Sequence, residues 1–283
     1  MTTRKNPRIP EGINTTKESP LKEFSSLLIV FGLFAVVIVI VLTIFIRAIS
    51  PYIPFSWELK IAKNFEQNLS STPVEKSVSV TEAEYALQEL VLSLSRKMEL
   101  TEDIIFKIHF LDSETPNAFA TLGGHIFVTK GLIKNVTSEN ALAMVIAHEM
   151  AHIKYRHPIQ SLGRGALFSL ILLVISGSQG TGVGQKVLGQ SGLIALLRFS
   201  RDMEREADRE AINTIKRHYG HIAGSDEFFS KMSRQSNSSE WATIFQTHPG
   251  VEERIAVIRD KMSTEPHKEL IPLDRRIRQA GIN

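Results

Sequence analysis

The chain has 283 residues, of which 43% are hydrophobic and 22% charged, and it contains no cysteine. This composition excludes a fully disordered chain, a collagen-like repeat and a disulfide scaffold, and the lack of cysteine excludes thiolate-ligated zinc, iron–sulfur clusters and a cysteine nucleophile. The net charge is +3, and the first 23 residues hold five basic and three acidic side chains. The rest of the chain is close to neutral, so we expect no nucleic-acid partner.

The first predicted element is an apolar helix at 24–46, where no residue is charged. As a helix, this segment would be about 35 Å long, enough to cross the ~30 Å hydrocarbon core of a bilayer. A secretory signal peptide has a shorter apolar region and a small-residue cleavage site, and a buried soluble helix is a third interpretation. We predict a retained transmembrane anchor, with a tail at 1–23 before it and a stalk or linker at 47–76 after it.

The basic residues that flank this segment indicate its orientation. Five precede it, whereas only Arg47, Lys60 and Lys63 follow within the next 20 residues. Positively charged flanks tend to stay in the cytoplasm. We therefore expect a cytoplasmic N-terminal tail and a main domain outside the cytoplasm.

The remaining residues, 77–283, predict one mainly helical domain. Thr81 and Glu84 have the spacing of a capping box at the start of a helix. Apolar residues then recur with a helical period over 87–98, and the segment 104–111 is rich in residues that favour strands.

Two short strands are predicted at 118–122 and 125–129, around a pair of glycines. Ser138 is a suitable N-cap for a helix that should end near His157, because the next residue is a proline. Further helices are predicted at 193–219 and 251–262. We therefore expect an α+β fold that is mostly helical, with a small edge sheet.

A second apolar segment, 166–175, is too short to cross a membrane and is predicted to be a core or surface-lying helix. The segment 177–192 contains six glycines. Their spacing matches no phosphate-binding motif, so we expect a mobile connection there.

The strongest chemical signal is His-Glu-Met-Ala-His at 148–152, on the helix predicted after Ser138. His148 and His152 are four residues apart, so both imidazoles project from one helix face and can bind one zinc ion. Glu149 lies beside the first of them, where its carboxylate can take a proton from an activated water. An ordinary buried helix is the alternative, but it would bury these polar groups unpaired, which is costly.

Two histidines leave a catalytic zinc one protein ligand short. The metzincin arrangement requires a glycine and a histidine where the chain has Tyr155 and Pro158. A carboxylate from a later helix is another common solution, and Glu204 and Asp208 are four residues apart, as suits a ligand and a residue that orients a ligand imidazole. Taken alone, such a charged segment is more often a solvated helix face.

These segments resemble the prenyl-protease/HtpX family of zinc metalloendopeptidases, over about 77–262. The resemblance rests on the 148–152 motif followed by Arg-His at 156–157, and on Ser-Arg-x-x-Glu-x-x-Ala-Asp at 200–208. Asn-Ala-Phe-Ala at 117–120 and Thr-His-Pro at 247–249 also fit the family. The resemblance implies a zincin-like protease domain with one Zn²⁺ per chain.

The resemblance also implies roles for single residues. Glu204 would be the third zinc ligand, Asn117 would contact the substrate backbone, and His248 would stabilise the tetrahedral intermediate. We further expect an extended substrate to pair with the strand at 125–129, so that His125 and Phe127 belong to the substrate-binding surface.

The sequence departs from the multi-span members of that family, because it has one predicted anchor. It looks more like single-anchored or exported members, which places the expected catalytic domain in the periplasm, at a bacterial inner membrane. The expected function is a membrane-anchored zinc metalloendopeptidase that processes proteins or controls their quality. The alternatives are an anchored adaptor with a vestigial or structural zinc site, and a metallohydrolase of non-peptide amides.

Overall fold

The computed structural model describes residues 20–69, 78–100, 104–176, 198–235, 241–265 and 268–282. The chain divides into two compact units, Met1–Phe45 and Ile46–Asn283. Helix α1 (Pro20–Ile49) contains the whole of the predicted apolar segment, so the prediction of a helix there is confirmed. Among the described helices, it alone is long and apolar enough to cross a membrane.

The second unit consists mainly of helices. Among its described residues, the α-helices are α2 (Phe55–Leu69), α3 (Val78–Ser95), α4 (Lys130–Lys134), α5 (Glu139–Lys154), α6 (His157–Ser176), α7 (Arg201–Tyr219), α8 (Glu227–Arg234), α9 (Ala242–Thr247), α10 (Val251–Ser263) and α11 (Arg275–Ile282). The core is built around α5, because its residues from Asn140 to Ile153 are all buried. Helix α7 packs on α5, and α3 also contacts it.

Three short strands form one sheet beside α5: β1 (Lys107–Leu111), β2 (Ala118–Ala120) and β3 (His125–Thr129). Strand β3 is central, parallel to β1 and antiparallel to β2. Ile126 and Val128 of β3 are fully buried. The predicted α+β fold, mostly helical with a small sheet, is therefore confirmed.

The segment 47–76, which we expected to be a stalk or linker, contains helix α2. Phe55, Glu58 and Ala62 are buried in the second unit. Their spacing of three and four residues gives α2 one buried face, which packs on the turn at Leu122–Gly124. A helix with such a face is part of the folded unit and not a spacer.

The start of α3 also differs from the expected capping box. The helix begins at Val78, so Thr81 lies inside it. One carboxylate oxygen of Glu84 accepts a hydrogen bond from the backbone N–H of Phe110, at 2.9 Å, and so links α3 to the strand segment 107–111.

Helix α5 begins after Ser138, as predicted, and the Ser138 side chain accepts a hydrogen bond from the backbone N–H of Ala141. It ends at Lys154, slightly before the expected His157, because Arg156 has a positive φ of 62° that interrupts the helix. Helix α6 starts directly afterwards, since a proline is tolerated in the first turn of a helix.

The helix expected at 193–219 begins at Arg201, where the Ser200 side chain caps the N–H of Met203. The short apolar segment 166–175 lies within α6, so its helical prediction is confirmed. The helix predicted at 251–262 is α10. The predicted connection at 177–192, and residues 193–197, lie outside the described residues.

Candidate metal centre

Helices α5 and α7 bring the predicted metal ligands together. His148 and His152 are one turn apart on α5, and Glu204 lies in the first turn of α7, just after its Ser200 cap. The Nε2 atoms of the two histidines are 2.9 Å apart. The two carboxylate oxygens of Glu204 each lie 3.4 Å from one of these nitrogens.

The chemistry of this cluster fits a divalent cation. Three buried carboxylates, those of Glu149, Glu204 and Asp208, lie near one buried guanidinium, that of Arg254. If the imidazoles are neutral, two negative charges lack a permanent cation, and uncompensated buried charge is costly. Two imidazoles and one carboxylate are the donor set of many catalytic zinc sites. A Zn²⁺ ion therefore fits both the charge and the donors.

Asp208 and Arg254 contact the predicted ligands His148 and Glu204. Asp208 Oδ1 lies 2.9 Å from Nδ1 of His148, on the far side of the ring from Nε2. Arg254 donates two hydrogen bonds to Asp208, at 2.7 and 2.8 Å, and its Nη1 lies 2.8 Å from a Glu204 oxygen. Such outer contacts fix the tautomer and orientation of ligand imidazoles.

These contacts determine the direction in which the pKa values of Glu204 and Asp208 are shifted. Burial alone would raise the pKa of Glu204, but His248 and Arg254 outweigh burial and hold this pKa well below its usual range. Burial likewise opposes ionisation of Asp208, and Arg254 and His148 overcome it, so the pKa of Asp208 is also lowered. Both side chains are therefore ionised and available to a cation and its ligands.

His157 contacts His152, the second predicted histidine ligand. Nδ1 of His157 lies 2.9 Å from Nδ1 of His152, and Nε2 of His157 lies 3.3 Å from a carboxylate oxygen of Glu206. The ring of Phe199 stacks on that of His152, with 3.8 Å between ring centroids. Glu206, two residues after Glu204, is partly exposed and does not belong to the donor cluster.

Glu149 lies next to Ala120 of strand β2, which is at the edge of the sheet. The backbone N–H of Ala120 lies near enough to favour the ionised carboxylate, while the Oε2 atom of Glu149 is buried without a hydrogen-bond partner among the described residues. Burial raises the pKa of the Glu149 carboxyl above its usual range, although the nearby His248 and His148 oppose this. A carboxylate with a raised pKa is a better proton acceptor at neutral pH.

His248, at the end of α9, lies inside the donor cluster. Its Nδ1 is 3.1 Å from a Glu204 oxygen and 3.4 Å from Nε2 of His148, and its Nε2 is 3.6 Å from Glu149. The ligand atoms of His148, His152, Glu204 and His248 all lie within 4.8 Å of one another. His248 is therefore a fourth potential donor beside His148, His152 and Glu204.

The residues expected to bind substrate are placed differently from one another. Asn117 comes directly before edge strand β2 and is buried, and its side-chain oxygen has no hydrogen-bond partner among the described residues. His125 and Phe127, in contrast, lie in β3 and pack with His109, whose Nε2 is 2.8 Å from Nδ1 of His125.

The expectation that a substrate pairs with the backbone of β3 is wrong. Strand β3 is central, and β1 and β2 occupy its two sides. Within the described part of the sheet, the strand edge next to Glu149 is that of β2. Strand order is a tertiary property, and the alternation of apolar residues in β3 carries no information about it.

Sequence reasoning gave no role to Arg254, His157 or Phe199. His157 is adjacent to the 148–152 motif, and Arg254 follows His248 by six residues, so both lay in segments that carried the resemblance. Their side-chain partners, however, come from α5 and α7. Only the packing of these helices reveals those contacts.

A buried His-Glu-x-x-His helix, a carboxylate from a second helix and a partly unpaired glutamate beside them define a metalloprotease of the zincin type. The chain belongs to the peptidase family M48, whose model matches residues 77–262. Peptidases of this family are zinc-dependent, so the cofactor is Zn²⁺. Membership of the narrower prenyl-protease/HtpX group stays a prediction.

Several curated proteins are similar to this chain. They include the mitochondrial metalloendopeptidase OMA1 of Schizosaccharomyces pombe, 31% identical over 56% of this chain and 47% of that protein. The metalloprotease LoiP of Escherichia coli is 32% identical over 53% of this chain and 60% of its own length. The beta-barrel assembly-enhancing protease of E. coli is 29% identical over 55% of this chain and 34% of its own length. The matches thus span between about a third and three fifths of these relatives.

Proposed function

We propose that this chain is a membrane-anchored zinc metalloendopeptidase that hydrolyses peptide bonds in protein substrates. The observation that carries the proposal is the convergence of His148, His152 and Glu204 beside Glu149, whose Oε2 atom is buried and unpaired among the described residues. A structural metal site needs no such glutamate. A hydrolase needs a base at this position.

The geometry of the centre supports one proposed role for each of its residues. His148, His152 and Glu204 would hold the zinc ion, which supplies a Lewis acid for the scissile carbonyl and lowers the pKa of a water molecule. Glu149 takes the proton of the attacking water through its unpaired oxygen, as a C–O bond forms. It then gives this proton to the leaving amine, as the C–N bond breaks.

His248 is the proposed stabiliser of the negative charge that develops on the carbonyl oxygen. Its Nε2 atom is buried, points to the side of Glu149 and has no hydrogen-bond partner among the described residues. A donor placed in advance at this position lowers the barrier without reorganisation.

The backbone of β2 is the proposed binding edge for an extended substrate. Hydrogen bonds to β3 are made by the carbonyl of Asn117 and the N–H of Thr121. Because such bonds alternate along an antiparallel strand, the backbone groups of Ala118 and Ala120 face the opposite side, and the N–H of Ala120 lies near the Glu149 carboxylate. Binding of this kind reads little side-chain identity, which supports a role in protein processing or quality control.

Helix α1 is the proposed anchor, with the N-terminus in the cytoplasm and the protease domain in the periplasm of a bacterial cell. Its length, its apolar composition and the excess of basic residues before it support this topology. Protease digestion of intact spheroplasts tests it. The domain should be degraded while a cytoplasmic control protein survives, and full protection of the domain would contradict the topology.

A structural zinc site in an adaptor protein is the second candidate. It is favoured by one observation, the presence of His248 as a fourth potential donor, because structural zinc sites use four protein ligands. Zinc quantification and casein cleavage by the wild type and Glu149→Gln separate the two candidates. A protease should cleave casein, and Glu149→Gln should keep zinc and lose roughly 10²-fold or more in rate. An adaptor would hold zinc and cleave nothing, and a hydrolase of other amides would also spare casein.

A further inference from the structure

A buried ion pair outside the metal centre connects α2 to two parts of the site. Glu58 of α2 is 1% exposed, and its Oε1 atom lies 3.1 Å from Nε of Arg156. Its other oxygen, Oε2, accepts a hydrogen bond of 3.3 Å from the backbone N–H of Gly123. Arg156 follows the helix that carries the two histidines, and Gly123 lies in the turn between β2 and β3. We call this arrangement the Glu58–Arg156 bridge.

Arg156 makes further contacts with the segment before α2. Arg156 also donates a hydrogen bond of 2.6 Å to the carbonyl of Ile53, and its guanidinium lies over the ring of Phe55, 5.1 Å from the centroid. The backbone of Arg156 is held at a φ of 62°, which is rare for a residue with a side chain. The segment before α2 therefore packs directly on the end of α5.

The turn at the other end of the bridge is equally constrained. Gly123 and Gly124 have φ values of 73° and 80°, which favour glycine. A Cβ atom on Gly123 would lie 2.7 Å from Cβ of Ala62 on α2, and one on Gly124 would overlap the carbonyl of Ile105. Helix α2 thus covers this turn at the closest distance that the backbone allows.

We propose that Glu58 is a positioning residue that holds the β2–β3 turn against the end of α5, and so sets the edge of β2 relative to Glu149. The inference rests on the proposed function, in which that edge binds the substrate backbone. A buried ion pair contributes little to stability compared with an apolar pair of the same size, so stability alone does not account for the bridge. Its two carboxylate oxygens contact the two elements whose spacing decides where a substrate strand lies.

Two peptides with the same scissile bond test this role in the full-length protein. One is short, and the other is extended by about four residues so that it can pair with β2. The variant Glu58→Asp keeps the charge next to Arg156 but is too short to reach both partners. Glu58→Gln keeps the length and removes the charge, and Lys60→Gln is the matched control on the exposed face of α2.

We expect both Glu58 variants to keep zinc and to lose the advantage of the longer peptide. The ratio of kcat/KM between the long and the short peptide should fall about five-fold, through KM, as expected for the loss of about one backbone hydrogen bond. The control should keep the wild-type ratio. An unchanged ratio, or an equal loss for both peptides, would overturn the proposal, and so would the loss of zinc from Glu58→Asp.

Hydrogen exchange separates a failure of this inference from a failure of the proposed function. If the wild type cleaves neither peptide, the proposed function has failed, but the amides at 118–124 still report on the bridge. They should exchange faster in Glu58→Asp than in the wild type, while those in the buried part of α5 keep their protection. Equal exchange at 118–124 in the two proteins would overturn the positioning role.

Discussion

The metal centre and the Glu58–Arg156 bridge both bury charged side chains, but their charges are balanced differently. At the bridge, one carboxylate meets one guanidinium, and each also contacts a backbone group. At the metal centre, three carboxylates share one guanidinium. At the bridge, the protein itself supplies both charges of the pair. At the metal centre, the excess of carboxylates over guanidinium groups is the charge that a divalent cation balances.

The largest effect should come from removing a donor at the centre. Glu204→Ala takes one of three proposed ligands away and leaves Arg254 without this partner, so we expect loss of zinc and of all measurable cleavage. Glu206→Ala is the matched control on the same helix, because that carboxylate is partly exposed and contacts His157. Metal analysis of the purified variants measures the difference. Loss of zinc from Glu206→Ala instead would show that the ligand assignment on α7 is wrong.

The variant His248→Ala should show whether His248 contributes to catalysis, to metal binding or to both. If His248 stabilises developing charge, kcat should fall by roughly 10²-fold while the zinc content is retained. Single-turnover kinetics with casein fragments, together with metal analysis, provide the measurement. A rise in kcat would show instead that the imidazole occupies the open position and blocks the site.

A smaller effect is expected from a change to Asp208, which contacts the proposed ligand His148 on the far side of its ring. Asp208→Asn keeps the shape of the side chain but weakens its contacts with His148 and Arg254. We expect zinc affinity to fall by about 10- to 100-fold, as is typical when a group that orients a ligand imidazole is changed. Competition with a chelator measures this affinity. Wild-type affinity in the variant would mean that the orientation of His148 does not depend on Asp208.

The smallest effect should come from the bridge. Arg156→Lys keeps the positive charge beside Glu58 but loses the planar geometry that allows simultaneous contacts with Glu58, Ile53 and Phe55. We expect the free energy of unfolding to fall by about 1–2 kcal/mol, with zinc content unchanged. Thermal unfolding and metal analysis test this together. Loss of zinc from Arg156→Lys would show that the bridge and the metal centre do not act independently.

The metal centre was easier to predict from the sequence than the Glu58–Arg156 bridge, and the reason is physical. The ligands on α5 were predictable because a spacing of four residues places two side chains on one helix face in any fold. The same rule paired Glu204 with Asp208, but it did not bring α7 to α5, and the resemblance to a known family was needed for that step. Arg254 carried no local signal, because its partners lie on α5 and α7.

Local periodicity and composition were sufficient to predict the apolar helix at 24–46, the mostly helical class of the domain and the motif at 148–152. Three other features became visible only in the folded protein: α2 packs on the second unit, β3 lies between β1 and β2, and Glu58 joins Arg156 to Gly123. These features depend on contacts between residues far apart in the chain. Strand order and the partner of a buried charge are set by how the elements pack, which no local pattern encodes.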